Sequence, residues 1–451
     1  EGERLFKIFL DTQLETNDKI RLETQWNADY NNYIPVDFNK IPVAFTMCRY
    51  YKGSFEELKP EKREAVAFLM HSGILSYDVG VGKTPSCIFS ISASLDAGYC
   101  RRPWLCVPNQ VYKQFISEIK NFAPHIPIME GYNLSDQYLQ NFKDANGNIV
   151  PVPDGVITVI TYEGLERIGF NDSTTDELFD SLYEILNQGG EDERPKSEKQ
   201  KAGFREKLET ILGRGLSGTM VNIEDLAIDF FAYDEAHKMK KVFTAVKGEV
   251  TEDEKGKSTR GKNPYVINSG VPSTIGLKGF MLNYYIQEKN KGQNVVLLTA
   301  TPFTNSPLEI FSMLTMVGYQ ELRNTDLNNI KNFFDTYIKT STELVINTKL
   351  KPQFKQVILG FNNLLSLQTL IRRFINYKTG EDVNVKRPNK YVLPYLTKID
   401  EGIVTRLSED EKIETYIQMT PMQEAAMEKI VAYVEGKGGG ATEIEMDAGD
   451  V

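Results

Sequence analysis

The 451-residue chain is poor in the residues that build metal centres and disulfide scaffolds. It has four cysteines, Cys48, Cys87, Cys100 and Cys106, and no two of them are spaced C-x-x-C. It has three histidines, His71, His125 and His237. Such a set does not make a zinc-ligand cluster. Few, irregularly spaced thiols in a chain of this size exclude a disulfide framework and suit a reducing compartment. Long apolar runs are also missing, and no stretch approaches the roughly 20 residues that a membrane-spanning helix needs. The opening Glu1-Gly2-Glu3-Arg4 has no apolar run after it, so it does not read as a signal peptide. It also lacks an initiator Met, and the chain is expected to be a piece of a longer protein. Basic charge is in deficit, with 52 Lys and Arg against 62 Asp and Glu, a net charge of -10. Bulk coating of nucleic acid is therefore excluded, although a local basic groove is not. What is present is an ordinary globular balance, 41% hydrophobic and 25% charged. At about 100–200 residues per domain, the length suits two to four units.

Residues 1–58 form an N-terminal extension with no evident chemistry, and Tyr30–Pro35 reads as a loop. From Lys59 the pattern changes. Pro60–Met70 has the look of a helix with Pro in its first turn. Short apolar runs follow at Gly73–Tyr77, Trp104–Val107, Val156–Ile160, Phe230–Tyr233 and Val295–Leu298. Runs of this length, separated by helix-like stretches, mark buried parallel strands. The expected fold is α/β, a doubly wound parallel sheet over 59–320. Two charged stretches, 189–214 and 247–262, read as solvated insertions. Residues 321–400 hold thirteen Lys and Arg against seven Asp and Glu, a net of +6, and are expected to be a basic helical extension. Residues 401–451 carry a net of -8, contain Gly438-Gly439-Gly440, and read as an acidic linker.

Three motifs carry chemistry. The first is Asp78-Val79-Gly80-Val81-Gly82-Lys83-Thr84, between a strand and a helix-compatible run. Gly80 and Gly82, with Val81 between them, let backbone N–H groups converge on a phosphate, and the following helix N-terminus adds its dipole. Lys83 is expected to reach the β- and γ-phosphates and the Thr84 hydroxyl to ligate Mg²⁺. The first Gly of the usual G-x-x-x-x-G-K-T form is Tyr77 here. The second motif is Asp234-Glu235-Ala236-His237, at the end of an apolar run. Adjacent carboxylates there can divide the work, with Asp234 holding Mg²⁺ and Glu235 acting as general base, while His237 senses the γ-phosphate. The third is Thr299-Ala300-Thr301-Pro302, where Thr299 and Thr301 could hydrogen-bond the acidic motif.

Together these motifs make the chain resemble the first motor lobe of superfamily-two DNA helicases and translocases of the Swi/Snf type. It is most similar to the helicase part of large phage and plasmid DNA methylase and antirestriction proteins. The likeness also rests on Gly73-Ile74-Leu75, Val107-Pro108-Asn109 through Gln114, Phe115 and Glu118, Thr161-Tyr162-Glu163, Lys240, Thr299 through Ser306, and Phe374-Ile375-Asn376. It runs from about Lys59 to Gly318 and more weakly to about Met427. The resemblance implies a RecA-like P-loop lobe that binds ATP and Mg²⁺, in a cytoplasmic or virion setting. It implies that Pro108, Asn109, Thr161 and Tyr162 grip a DNA backbone without reading sequence. A packed aromatic is the other reading of Tyr162. Arg372, Arg373, Lys386, Arg387 and Lys390 could extend the DNA track, or could form a solvated helical face.

Where the family has an adenine-reading Gln, this chain has Lys62, which can donate hydrogen bonds but not accept them. The family's Asn after Lys240 is Lys241. No Q-x-x-G-R-x-x-R pattern follows Thr299. The resemblance therefore implies that a second RecA-like lobe, in cis beyond Val451 or in trans, supplies the arginine finger, and that the fragment alone is inactive or very slow. The intact protein is expected to be an ATP-dependent DNA helicase or translocase. The rival expectation is a catalytically incomplete P-loop fold serving as a structural, packaged or DNA-binding module. A restriction-type motor would need a nuclease arrangement, which is not evident.

Overall fold

The computed structural model describes residues 12–30, 36–47, 58–178, 221–243, 272–304, 306–346 and 352–383, with short pieces elsewhere. The chain divides into two compact units, one of 1–340 with 358–385 and one of 341–357 with 386–451.

The first unit is organised by a seven-stranded sheet whose strands are all parallel. In chain order they are β1 (Gly73–Tyr77), β2 (Pro103–Val107), β3 (Ile128–Tyr132), β4 (Ile157–Thr161), β5 (Phe230–Asp234), β6 (Val295–Leu298) and β7 (Ile375–Lys378). Across the sheet they run β7-β1-β6-β5-β2-β4-β3. The five apolar runs of the sequence are thus strands of one sheet. They are mostly apolar because both faces are covered. On one face, Leu75, Leu105, Val159, Ala232 and Leu298 pack beneath α1 (Pro60–Leu69), α2 (Lys83–Asp96) and α3 (Tyr112–Phe122). On the other, Ile74, Trp104, Tyr233 and Leu297 pack with α4 (Thr274–Lys289), α5 (Pro307–Asn324), α6 (Ile330–Tyr337) and α7 (Leu364–Phe374). Each large apolar side chain so buried contributes about 1.5–3 kcal/mol.

Local signals set the helix ends. Pro60 opens α1, where its missing N–H is harmless. The Ser273 hydroxyl accepts from Gly276 N at 3.0 Å and caps α4. Ser306 caps α5, whose first residue is Pro307. Helix α5 bends at Gly318, and a Cβ there would collide with the ring of Phe374 from α7. The buried Gln287 of α4 fills the opened bonds, donating to Thr315 O and Met316 O and accepting from Tyr319 N.

Residues 321–400 differ from the expected helical extension. Helices α6 and α7 are there, but strands Ile338–Ile346 and Pro352–Phe361 form a two-stranded sheet, and β7 joins the main sheet beside β1. The sheet therefore does not end near 320. Its last strand escaped notice because Ile-Asn-Tyr-Lys is half polar, as suits an edge with one neighbour.

The insertion expected at 189–214 lies outside the described residues except for Glu206. Of 247–262, only Val250–Glu252 and Ser258–Arg260 are described, and they pair antiparallel. The loop expected at Tyr30–Pro35 and the linker expected at 401–451 lie almost wholly outside them. Within the second unit, Thr397–Asp400 pairs antiparallel with Ile403–Arg406.

Candidate functional site

In a parallel sheet every strand ends on the same edge, and that is where ligands of such folds collect. The three motifs occupy the C-terminal ends of β1, β6 and β5, which are consecutive neighbours.

After β1 the chain makes a tight turn, with Val81 N donating to Asp78 O at 3.3 Å. Gly80 and Gly82 have φ of +87° and +106°, a backbone that L side chains rarely adopt. A Cβ at Gly80 would point into open space, so the loop presents bare backbone on that side. Gly82 is the N-cap of α2, and Val81 is buried beneath the turn. Thr84 and Pro85 follow in the first helical turn. Lys83 Nζ lies folded back on the loop, donating to Tyr77 O at 2.7 Å. Burial lowers its pKa, and the nearby carboxylates of Glu235, Asp234 and Asp78 oppose that shift. Tyr77, where the usual pattern has Gly, is fully buried, and its hydroxyl donates to Glu61 O at 3.1 Å. It fastens α1 to the strand instead of lining the loop. The adjoining Lys62 side chain crosses Gly82, its Cε 3.4 Å from where a Cβ would be.

Asp234 closes β5 and is buried, with 8% exposed. Its carboxyl is pushed up to about 6, chiefly by burial and then by the charge of Glu235, with Lys83 pulling the other way. Glu235 has φ +53°, so the chain turns abruptly into the short helix Ala236–Met239. A left-handed Glu costs roughly 1–2 kcal/mol, strain of the kind that collects at functional sites. His237 Nδ1 sits 3.0 Å from Glu235 Oε2 and 3.2 Å from Thr299 Oγ1. An ionised carboxylate only accepts, so the contact calls for the proton on Nδ1. Thr299 Oγ1 also accepts from Thr301 N at 3.1 Å. Glu235, His237, Thr299 and Thr301 thus form one connected set bridging β5 and β6.

Among the described residues, no group of three or more His, Cys, Asp or Glu could hold a metal on its own. Mg²⁺ needs no such cage, since it keeps waters and takes most oxygens from substrate phosphates. A carboxyl whose pKa is raised by burial and by the charge of Glu235, on the same sheet edge as a glycine loop that leads to the Thr84 hydroxyl, fits that ion. Thr84 and Asp234 are the residues that would hold it.

The residues expected to grip DNA divide. Asn109 is exposed, its Nδ2 donating to Glu163 Oε1 at 2.8 Å, while Pro108 beside it is buried. Thr161 and Tyr162 have buried side chains. Thr161 is fully buried and caps the turn Tyr162–Glu166, with Oγ1 accepting from Gly164 N. Tyr162 is 5% exposed, and its hydroxyl donates to the backbone carbonyl of Asp234 at 2.7 Å. Tyr162 braces the acidic strand end, with the ammonium of Lys238 5.0 Å from its ring centroid. Arg372 is exposed on α7, and Arg373 is paired with Glu321. Lys386, Arg387 and Lys390 lie outside the described residues.

Sequence reasoning missed how β7 meets the glycine loop after β1. Asp78 N donates to Lys378 O at 3.0 Å, and Gly380 N donates to Asp78 Oδ2 at 3.1 Å. Glu64 of α1 accepts from Asn376 Nδ2 at 3.1 Å and pairs with Lys378 Nζ at 2.9 Å. It also accepts from Asn39 Nδ2 at 3.1 Å. The only signal was Asn376 within the Phe374-Ile375-Asn376 triplet.

No family model matches the chain. Among curated proteins it is 22% identical over 461 residues to the defense against restriction protein B of Escherichia phage P1, covering 92% of this chain and 19% of that protein. It is 27% identical over 135 residues to the DNA excision repair protein ERCC-6-like of Danio rerio, covering 27% of this chain and 9% of that one. The chain is related to superfamily-two helicases of the Swi/Snf type. The chain spans about a fifth of the length of the phage relative. The Sulfolobus solfataricus SWI2/SNF2 ATPase core in complex with dsDNA overlaps it with a TM-score of 0.37 at 15% identity, covering 73% of this chain and 46% of that chain. Among the described residues, no helix is long and apolar enough to cross a membrane.

Proposed function

We propose that the chain is the ATP-binding first lobe of an ATP-dependent DNA helicase or translocase. The observation that carries the reading is the adjacency of three strand ends. The phosphate loop follows β1, Thr299 follows β6, and Asp234 with Glu235 lies at β5. In this reading Lys83 exchanges its bond to Tyr77 O for the β- and γ-phosphates of ATP, and the amides around Gly80–Gly82 cradle them. Thr84 and Asp234 are the residues that would hold Mg²⁺, which would supply charge neutralisation at the phosphates. Glu235 orients the attacking water and accepts its proton. His237, between Glu235 and Thr299, reports the γ-phosphate to the loop that holds Thr301. Lys62, lying over the loop, takes the place of the usual base-reading amide. DNA is gripped through its backbone, with Asn109 and Arg372 as the exposed candidates. A second RecA-like lobe completes the site with an arginine, an electrostatic contribution of about 10³–10⁵ in rate in related phosphoryl-transfer systems.

The test is ATP turnover by the intact protein with and without DNA. DNA is expected to stimulate turnover, and Lys83→Ala to abolish it. Slow turnover indifferent both to DNA and to Lys83→Ala would overturn the reading.

A further inference from the structure

The loop after β6 touches the acidic turn at two places. The near one is His237 with Thr299. The far one involves residues with no role in the scheme above. Lys240, which ends the Ala236–Met239 turn, donates from Nζ to Thr304 Oγ1 at 2.5 Å and pairs with Glu309 Oε2 at 3.2 Å. That carboxylate oxygen also accepts from Thr304 N at 2.8 Å. The Lys240 and Glu309 side chains are only 14% and 7% exposed.

Desolvating two charges costs several kcal/mol per ion, and apolar residues of similar volume usually serve stability as well or better. This pair lies where the segment bearing Glu235 and His237 meets the segment bearing Thr299 and Thr301. What a closely hydrogen-bonded ion pair adds, and an apolar plug would not, is a defined register between the two. Glu309 also stands in the first turn of α5, so the same contact anchors that helix to the loop.

We propose that Lys240, Thr304 and Glu309 form a clasp that positions the loop after β6 so that Thr299 meets His237. The three are positioning residues that touch no substrate. The inference deepens the ATPase reading and rests on it for its effect on turnover. The clasp itself can be tested without turnover.

The experiment uses the intact protein with Glu309→Gln, which keeps shape and removes charge, and a second pair, Thr304→Val and Thr304→Ser. Three quantities are measured: kcat and KM for ATP with DNA present, thermal midpoint, and hydrogen–deuterium exchange of peptides covering 235–241 and 299–306. Glu309→Gln is expected to lower kcat at least tenfold, with KM within twofold and the midpoint within a few degrees. Both peptides should exchange faster, including 235–241, to which Glu309 is tied through Lys240. Thr304→Ser should keep the wild-type kcat and Thr304→Val should lose it. Unchanged kcat and exchange in Glu309→Gln would overturn the clasp. So would a loss of kcat that follows only a loss of folded protein in both Glu309→Gln and Thr304→Val. Should the wild type hydrolyse no ATP, the function reading fails, and the exchange measurement still decides the clasp. Protection of 235–241 unaffected by Glu309→Gln would then refute it.

Discussion

Replacing Asp234 with Asn should stabilise the nucleotide-free protein, and by an amount that depends on pH. Asp234 is nearly buried, and its carboxyl is raised from 3.8 to about 6. A carboxyl with a raised folded-state pKa binds its proton more tightly in the native state than in the unfolded chain. Stability therefore falls as pH rises from about 4 to about 6, and the full cost is present above the folded-state pKa. Two units correspond to about 3 kcal/mol at pH 7.5, and roughly half of that is already present at pH 5. Asn has the same shape and no charge to desolvate. Any fixed effect of its amide is the same at both pH values and cancels in the comparison. At about 1–2 °C per kcal/mol for a unit of about 370 residues, Asp234→Asn should melt roughly 3–6 °C above wild type at pH 7.5 and about half as far above it at pH 5. The assay is differential scanning fluorimetry in EDTA without nucleotide. Equal shifts at the two pH values, or a variant less stable than wild type at pH 7.5, would refute the reasoning. Confirmation would mean that stability is given up at the proposed metal site, the trade expected where function needs an ill-solvated charge.

Tyr162→Phe leaves the buried carbonyl of Asp234 without its donor and should cost about 1–3 kcal/mol in urea unfolding, while DNA affinity and its salt dependence stay at the wild-type values. Unchanged stability with weakened DNA binding would favour Tyr162 as part of the DNA track. Gly318→Ala drives a Cβ into the Phe374 ring and should cost about 1–3 kcal/mol in the same assay. Most of that loss should return in the double variant Gly318→Ala with Phe374→Leu, and additive losses would show that the contact is not the cause.

The five strands legible in the sequence are those buried on both faces, because complete burial leaves a run of apolar residues with nothing to interrupt it. The two that escaped, β3 and β7, are the sheet's edges. Ile128–Tyr132 is mostly half-buried, and Ile375–Lys378 alternates apolar with polar. The phosphate loop and the acidic turn were legible because their chemistry is local, with four to seven consecutive residues carrying the whole pattern. For Tyr162 the sequence left a packed ring and a DNA contact both open, since a Tyr after a strand gives no sign of which way its ring turns. Its burial follows from packing against Asp234, 72 residues away. Glu309 was invisible for the same reason, because its partner Lys240 is distant in sequence and only the fold brings the two charges together.

The position of β7 bears on how the protein comes to be folded at all. The strand that launches the phosphate loop pairs on one side with residues about 300 positions later in the chain. During synthesis β1 must wait for that partner, its outer row of N–H and C=O groups unpaired. A contact of such long range is slow to form, and an open apolar edge is a template for aggregation while it lasts. Chains interrupted before residue 378 would carry every residue of the three motifs and still present this edge to one another. The demand on chaperones is therefore set by the far end of the unit, well after its chemistry has been encoded.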